Sequence, residues 1–142
     1  MEYDSFMNKP LEWEEKYSVG VKLIDDQHKK MFATINELIA ILNTKPTNDQ
    51  VSEIIKSLVE YKKYHFATEE KYFAEFGYEE AEEHKEKHAL FSARLDDMTI
   101  RNGEDAVSLA FELVDFLEDW LIDHLMVIDR KYIPCFKEHG LS

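Results

Sequence analysis

Cysteine, glycine and proline are all scarce in this 142-residue chain, at one, four and three residues. A single thiol, Cys135, cannot close an internal disulfide, which excludes a disulfide-stapled framework and fits a reducing compartment. So few turn-forming residues argue against a turn-rich all-β fold and in favour of amphipathic helices. No apolar run approaches the roughly 20 residues of a membrane span. The opening stretch, MEYDSFMNKPLEWEEKY, lacks both the basic start and the apolar segment of a secretion signal. The cytoplasm is therefore the expected location. Positive charge is also short: 17 basic residues stand against 30 acidic ones, for a formal net charge of −13. Such a surface repels phosphate backbones and anionic lipid, so neither nucleic acid nor membrane is expected as a partner.

What the chain has is charge, 33% of residues, and hydrophobicity, 44%, laid out with a helical period. Its length suits one domain over residues 1–142. The periodicity predicts helices at about 23–43, 48–76, 79–101 and 105–132, after a non-helical arm at about 1–22. Pro46 stops the first helix, Thr47-Asn48-Asp49 caps the second and Gly77 breaks it. Asn102-Gly103 closes the third, and the fourth ends before Pro134. Short connections make neighbours antiparallel, which gives an all-α, up-down-up-down four-helix bundle. Phe6, Leu11, Trp13 and Tyr17 provide the arm with apolar anchors for lying back on the bundle.

The informative residues are those that interrupt the inward stripes. His28 shares a face with Met31, Phe32, Ile35, Leu38, Ile39 and Leu42. In the second helix Val51, Ile54, Ile55, Leu58 and Tyr61 run on into His65, Glu69, Tyr72, Phe73 and Phe76. His84 and His88 precede Phe91, Leu95 and Met98, and Ala110, Val114, Leu117 and Leu121 lead to His124 and Ile128, with Asp129 beside them. Burying ionisable groups on apolar faces is costly unless something pairs with them. Five histidines and two carboxylates drawn from all four helices call for a common partner, and a metal suits.

Spacing supports it. His65 and Glu69, like His84 and His88, are four residues apart, about 40° on one helical face. His124 and Asp129 are five apart, roughly 140° on a regular helix. That gap requires a long reach by the aspartate or a local π-type widening, a feature frequent at functional sites. With alternating chain direction all seven groups fall toward one end of the bundle. Seven ligands are too many for one ion and suit two. Imidazole and carboxylate without thiolate argue against structural zinc and for iron, ahead of copper or manganese. The Glu-x-x-His pairs of ferritin-like di-iron proteins are missing. With few anionic ligands such a pair is expected to stop at two-electron chemistry.

Each residue also has a plainer reading. His28 or His124 alone could be a satisfied core histidine. Glu69 could be solvated beside Glu70, and Asp129 could pair with Arg130 or Lys131. His84 and His88 could lie on the surface of a Lys/Glu-rich helix. Trp120 and the tyrosine and phenylalanine stripe of the second helix read first as core, and His139 and Cys135 as unremarkable. The joint pattern outweighs these.

Four motifs stand in order: Asp25-Asp26-Gln27-His28, His65-Phe66-Ala67-Thr68-Glu69-Glu70, His84-Lys85-Glu86-Lys87-His88, and His124-Leu125-Met126-Val127-Ile128-Asp129. Together they resemble the hemerythrin family, over about residues 13–134. The resemblance implies that His84, His88 and His124 hold one iron, His28 and His65 the other. Glu69 and Asp129 would bridge the two Fe ions, together with a solvent-derived oxo or hydroxo group. It also implies an open position on the two-histidine iron, where dioxygen binds reversibly as hydroperoxide, taking an electron from each ferrous ion and a proton from the bridging hydroxide. Release reverses the transfer, and reversibility demands a dry pocket. Trp120 and Leu121 share a face with His124 and, with Met31, Phe66 and Leu125, are the candidates for its apolar wall. The function implied is oxygen storage, delivery or sensing rather than catalysis. The alternative is a di-iron enzyme acting as an oxidase, peroxidase or nitric oxide scavenger, which Tyr61 and Tyr64, close to the site in sequence, keep open. An iron reservoir without oxygen chemistry is a third possibility.

Overall fold

Thr47 opens the second helix with a reciprocal cap. Its hydroxyl accepts from the Gln50 N–H at 3.2 Å, and the Gln50 side chain accepts from the Thr47 N–H at 3.0 Å. Two donors that a helix start leaves unpaired are thereby satisfied. At the far end Gly77 takes φ 63°, the left-handed conformation that glycine adopts without steric cost, and closes the helix. The computed structural model, which describes residues 10–101 and 103–142, thus bounds this helix, α2, at Asn48–Phe76. Around it lie α1, Lys22–Leu42, α3, Ala81–Ile100, and α4, Ala106–Asp119. Asp105 caps α4, accepting from the Val107 N–H at 3.2 Å. The four pack as an antiparallel up-down-up-down bundle. Among the described residues there is no strand, and no helix is long and apolar enough to cross a membrane.

Three features differ from the sequence expectation. The fourth helical stretch does not end at Tyr132: α4 continues as a π-helix, Trp120–Ile128, then a 3₁₀ turn, Asp129–Tyr132, and a short α5, Ile133–Glu138. Pro134 is tolerated because it sits in the first turn of α5, where its missing N–H costs no intrahelical bond. The arm is not wholly non-helical, since Glu15–Tyr17 form one 3₁₀ turn. The third helix starts at Ala81 rather than about residue 79, after a turn closed by the Ala81 N–H on the Tyr78 carbonyl. The arm does lie on the bundle. Trp13 packs edge-on against Phe32 with ring centroids 5.4 Å apart. The Leu11 N–H donates to Asn36 Oδ1 at 2.6 Å, and Asn36 Nδ2 donates back to the Leu11 carbonyl. Phe6 and Asn102, named above as an anchor and a helix stop, lie outside the described residues.

Two apolar clusters enclose what lies between them. The larger runs along the bundle from Leu38, Val51, Met98 and Leu109 up to Met31, Phe66 and Leu125. The smaller caps the opposite end with Val19, Val21, Ile24, Phe73, Tyr132 and Phe136.

A candidate metal centre

Between those clusters the four helices deliver seven ionisable side chains. His28 comes from α1, His65 and Glu69 from α2, His84 and His88 from α3, and His124 and Asp129 from the irregular tail of α4. All are buried, none more than 3% exposed. Four-residue spacing puts each pair of α2 and α3 on one face. The five-residue pair is aligned by winding: the Asp129 N–H donates to the His124 carbonyl, five residues back. A regular helix would turn Ile128 inward instead. Ile128, expected on the inward stripe, is only half-buried, and the wide turn substitutes Asp129.

The imidazoles converge on the two carboxylates. Asp129 presents Oδ1 to His84 Nε2 at 2.9 Å and His124 Nε2 at 3.0 Å, and Oδ2 to His28 Nε2 at 3.0 Å and His65 Nε2 at 3.8 Å. Glu69 Oε1 faces His88 Nε2 at 3.0 Å and both His65 and His84 Nε2 at 3.4 Å. Two four-residue groups result, Glu69 with His84, His88 and His124, and Glu69 with His28, His65 and Asp129. Within each, the ligand atoms lie within 4.8 Å of one another.

Groups outside this set fix the ring orientations. His65 Nδ1 lies 2.8 Å from Gln27 Oε1, while Gln27 Nε2 donates to Thr68 Oγ1. His88 Nδ1 lies 2.8 Å from a Glu70 carboxylate oxygen. Each Nδ1 is engaged by an acceptor outside the set, which leaves Nε2, turned toward the carboxylates, as the atom that can meet a metal. A lone pair facing a carboxylate oxygen is unfavourable unless a cation lies between them. The buried Nε2 atoms of His65, His84 and His124, with Asp129 Oδ1, make no hydrogen bond despite their short contacts. The residues present therefore fit bound cations.

Electrostatics agree. Burial and the Asp129 charge push the Glu69 carboxyl up, but His65, His84 and His88 outweigh them and hold it down at about 2. Burial opposes the charge on His84, yet Asp129 and Glu69 raise it to about 9. At His124 burial wins and its pKa is lowered. Burial, then the two carboxylate charges, pushes the Tyr61 and Tyr132 hydroxyls well above the ordinary range.

Comparison with known proteins points the same way. Residues 19–136 match the hemerythrin HHE cation-binding domain. The chain belongs to the hemerythrin family. It is 30% identical to a bacteriohemerythrin of Clostridium acetobutylicum over 125 residues, 85% of this chain and 97% of that protein. A bacteriohemerythrin of Pseudomonas aeruginosa is 33% identical over 93% of this chain and 84% of its own length. A hemerythrin-like protein of Naegleria gruberi is 31% identical over 87% and 91%.

In this hemerythrin bundle the five apolar candidates are all buried in the larger cluster, and two brace ligand rings directly. Phe66 stacks on His88 with centroids 3.8 Å apart, and Trp120 on His124 at 3.7 Å. Both belong to the three-histidine group. Tyr64 is 70% exposed and is not part of the site, whereas Tyr61 is buried against His65. Arg130 and Lys131 turn away from Asp129, toward the Lys16 and Ser18 carbonyls and Glu80. His139 stacks on Phe76 and contacts the Cys135 carbonyl, remote from the centre.

Sequence reasoning missed Tyr132, whose hydroxyl donates to Glu69 Oε2 at 2.6 Å. It follows Asp129 by three residues, and in a 3₁₀ turn residues three apart eclipse. Gln27 and Glu70 lay inside recognised motifs, and adjacency to a ligand was the only signal of their role.

Proposed function

We propose that this chain binds dioxygen reversibly at a non-heme, carboxylate-bridged pair of iron ions. His84, His88 and His124 would hold one ion and His28 and His65 the other. Glu69, Asp129 and an oxo or hydroxo group of solvent origin would be shared. The observation that carries this reading is the two donor groups meeting at Glu69, with histidine Nε2 atoms turned inward and no thiolate among them. When bound, a ferrous pair with a solvent-derived hydroxide would supply dioxygen with two electrons and one proton and recover them on release.

The chain's own part is orientation and exclusion of water. Gln27 and Glu70 hold His65 and His88 in the tautomer that offers Nε2. Asp129 spans the gap, one oxygen toward each histidine group. Tyr132 fixes the far oxygen of Glu69. Met31, Phe66, Trp120, Leu121 and Leu125 form the apolar side, and exclusion of water there keeps the transfer reversible. Leu121→Ala opens that side and is expected to speed conversion to the ferric form; unchanged oxidation kinetics in stopped-flow absorbance contradict it.

The role is oxygen storage, delivery or sensing in the cytoplasm rather than catalysis, and the charge of −13 supports the absence of nucleic acid and membrane partners. Anaerobic reconstitution with ferrous iron, followed by titration with air, tests it. The expected result is two iron ions per chain and an oxygenated absorbance band that bleaches under vacuum. One ion per chain overturns the dinuclear assignment, and rapid irreversible loss to ferric protein favours an enzyme.

A further inference from the structure

The two histidine groups each have one buried tyrosine beside them, and the two hydroxyls are placed differently. Tyr132 lies near His84, ring centroids 5.8 Å apart, and its hydroxyl is taken by Glu69. Tyr61 stacks on His65, with centroids 5.1 Å apart and the rings 25° from parallel. It is only 7% exposed, and its hydroxyl has no hydrogen-bond partner. A buried hydroxyl without a partner opposes folding, and a phenylalanine would fill the same space without that cost. Tyr61 also lines a groove of about 750 Å³ between α1 and α2, beside Gln27, the residue that orients His65. The phenol thus stands between that groove and the group with fewer imidazoles.

We infer that the Tyr61 hydroxyl is the hydrogen-bond donor to an oxygen ligand held at the two-histidine position. This rests on the dinuclear reading above and adds a ligand-binding residue to it. A tyrosine hydroxyl is a donor at neutral pH. Dioxygen gains negative charge as it takes up electrons, so a fixed donor stabilises the bound form more than the free molecule. Stacking on His65 holds the phenol beside that position.

Tyr61→Phe tests the inference, with the iron-loaded and metal-free proteins measured side by side. The variant is expected to load as much iron as the wild type. Its metal-free melting temperature should be unchanged or higher, because no hydrogen bond within the chain is lost. Dioxygen release, followed by stopped-flow absorbance, should be about tenfold faster, the worth of one hydrogen bond. Azide, as a small-anion probe of the ferric protein, should bind about tenfold more weakly. Wild-type release and azide affinity in a fully loaded variant overturn the inference. So does a variant that fails to fold or to load iron, since the hydroxyl then serves the scaffold or the metal ligands. Wild-type protein that takes up no iron pair overturns the parent reading, and that result needs no variant to observe.

Discussion

Toward one end of the bundle Leu38, Leu58, Leu95, Met98 and Leu113 are fully buried, and toward the other, beneath the smaller apolar cluster, seven ionisable side chains are buried almost as deeply. The apolar end is stabilised by removing hydrocarbon from water and needs nothing else. The charged end is held by imidazoles and carboxylates compensating one another, with several polar atoms left unmatched. Folding and ligand chemistry are thus separated along the bundle axis. Apolar burial at one end does not depend on metal, which offsets the cost of the charged arrangement at the other.

The contrast can be broken most directly by removing metal. Each ion at a thousand times its dissociation constant stabilises the folded chain by about 4 kcal/mol. Chelation should therefore produce the largest fall in melting temperature, and equal calorimetric midpoints with and without iron would contradict the assignment. Next is Leu113→Ala at the apolar end, expected to cost about 2–5 kcal/mol. Denaturant titration should show that loss equally in loaded and metal-free protein, with iron content unchanged. A loss confined to the loaded form would mean that the two ends are not separable. Tyr132→Phe should be smaller, about 1–3 kcal/mol in the metal-free protein, because Glu69 Oε2 loses its donor in a buried place.

The last contrast is the effect of pH on the metal-free protein. His84 is raised from 6.5 to about 9, so its stabilising contribution is complete below pH 6.5 and is lost as pH rises through about 9. Glu69 is lowered from 4.5 to about 2, so its contribution is complete above pH 4.5 and is lost as pH falls through about 2. Urea midpoints should decline on both sides of that window. In the loaded protein the alkaline decline should vanish, because His84 then holds metal rather than a proton.

Legibility in the sequence followed how local each cause was. Thr47, Gln50 and Gly77 carry their own hydrogen-bonding and backbone chemistry, so the bounds of α2 could be read directly. The seven candidate ligands stood out because charged or ionisable groups are rare on apolar stripes, and the structure brings them to one place. The tail of α4 was obscure for the opposite reason. A change of winding from π to 3₁₀ leaves no compositional mark, so a constant period misplaced Ile128 and ended the helix too early. Gln27 and Glu70 resemble ordinary surface residues, and only the fold shows that each reaches a histidine on a neighbouring helix.

That change of winding acts as a phase shifter for everything after it. Forcing the common pitch on this stretch with no residue removed would bring Ile128 inward and swing the downstream chain through about 100°. Asp129, the phenol that donates to Glu69 and Phe136 of the smaller cluster would then lose their alignment together. What specifies this part of the molecule is a count of residues as much as their identity.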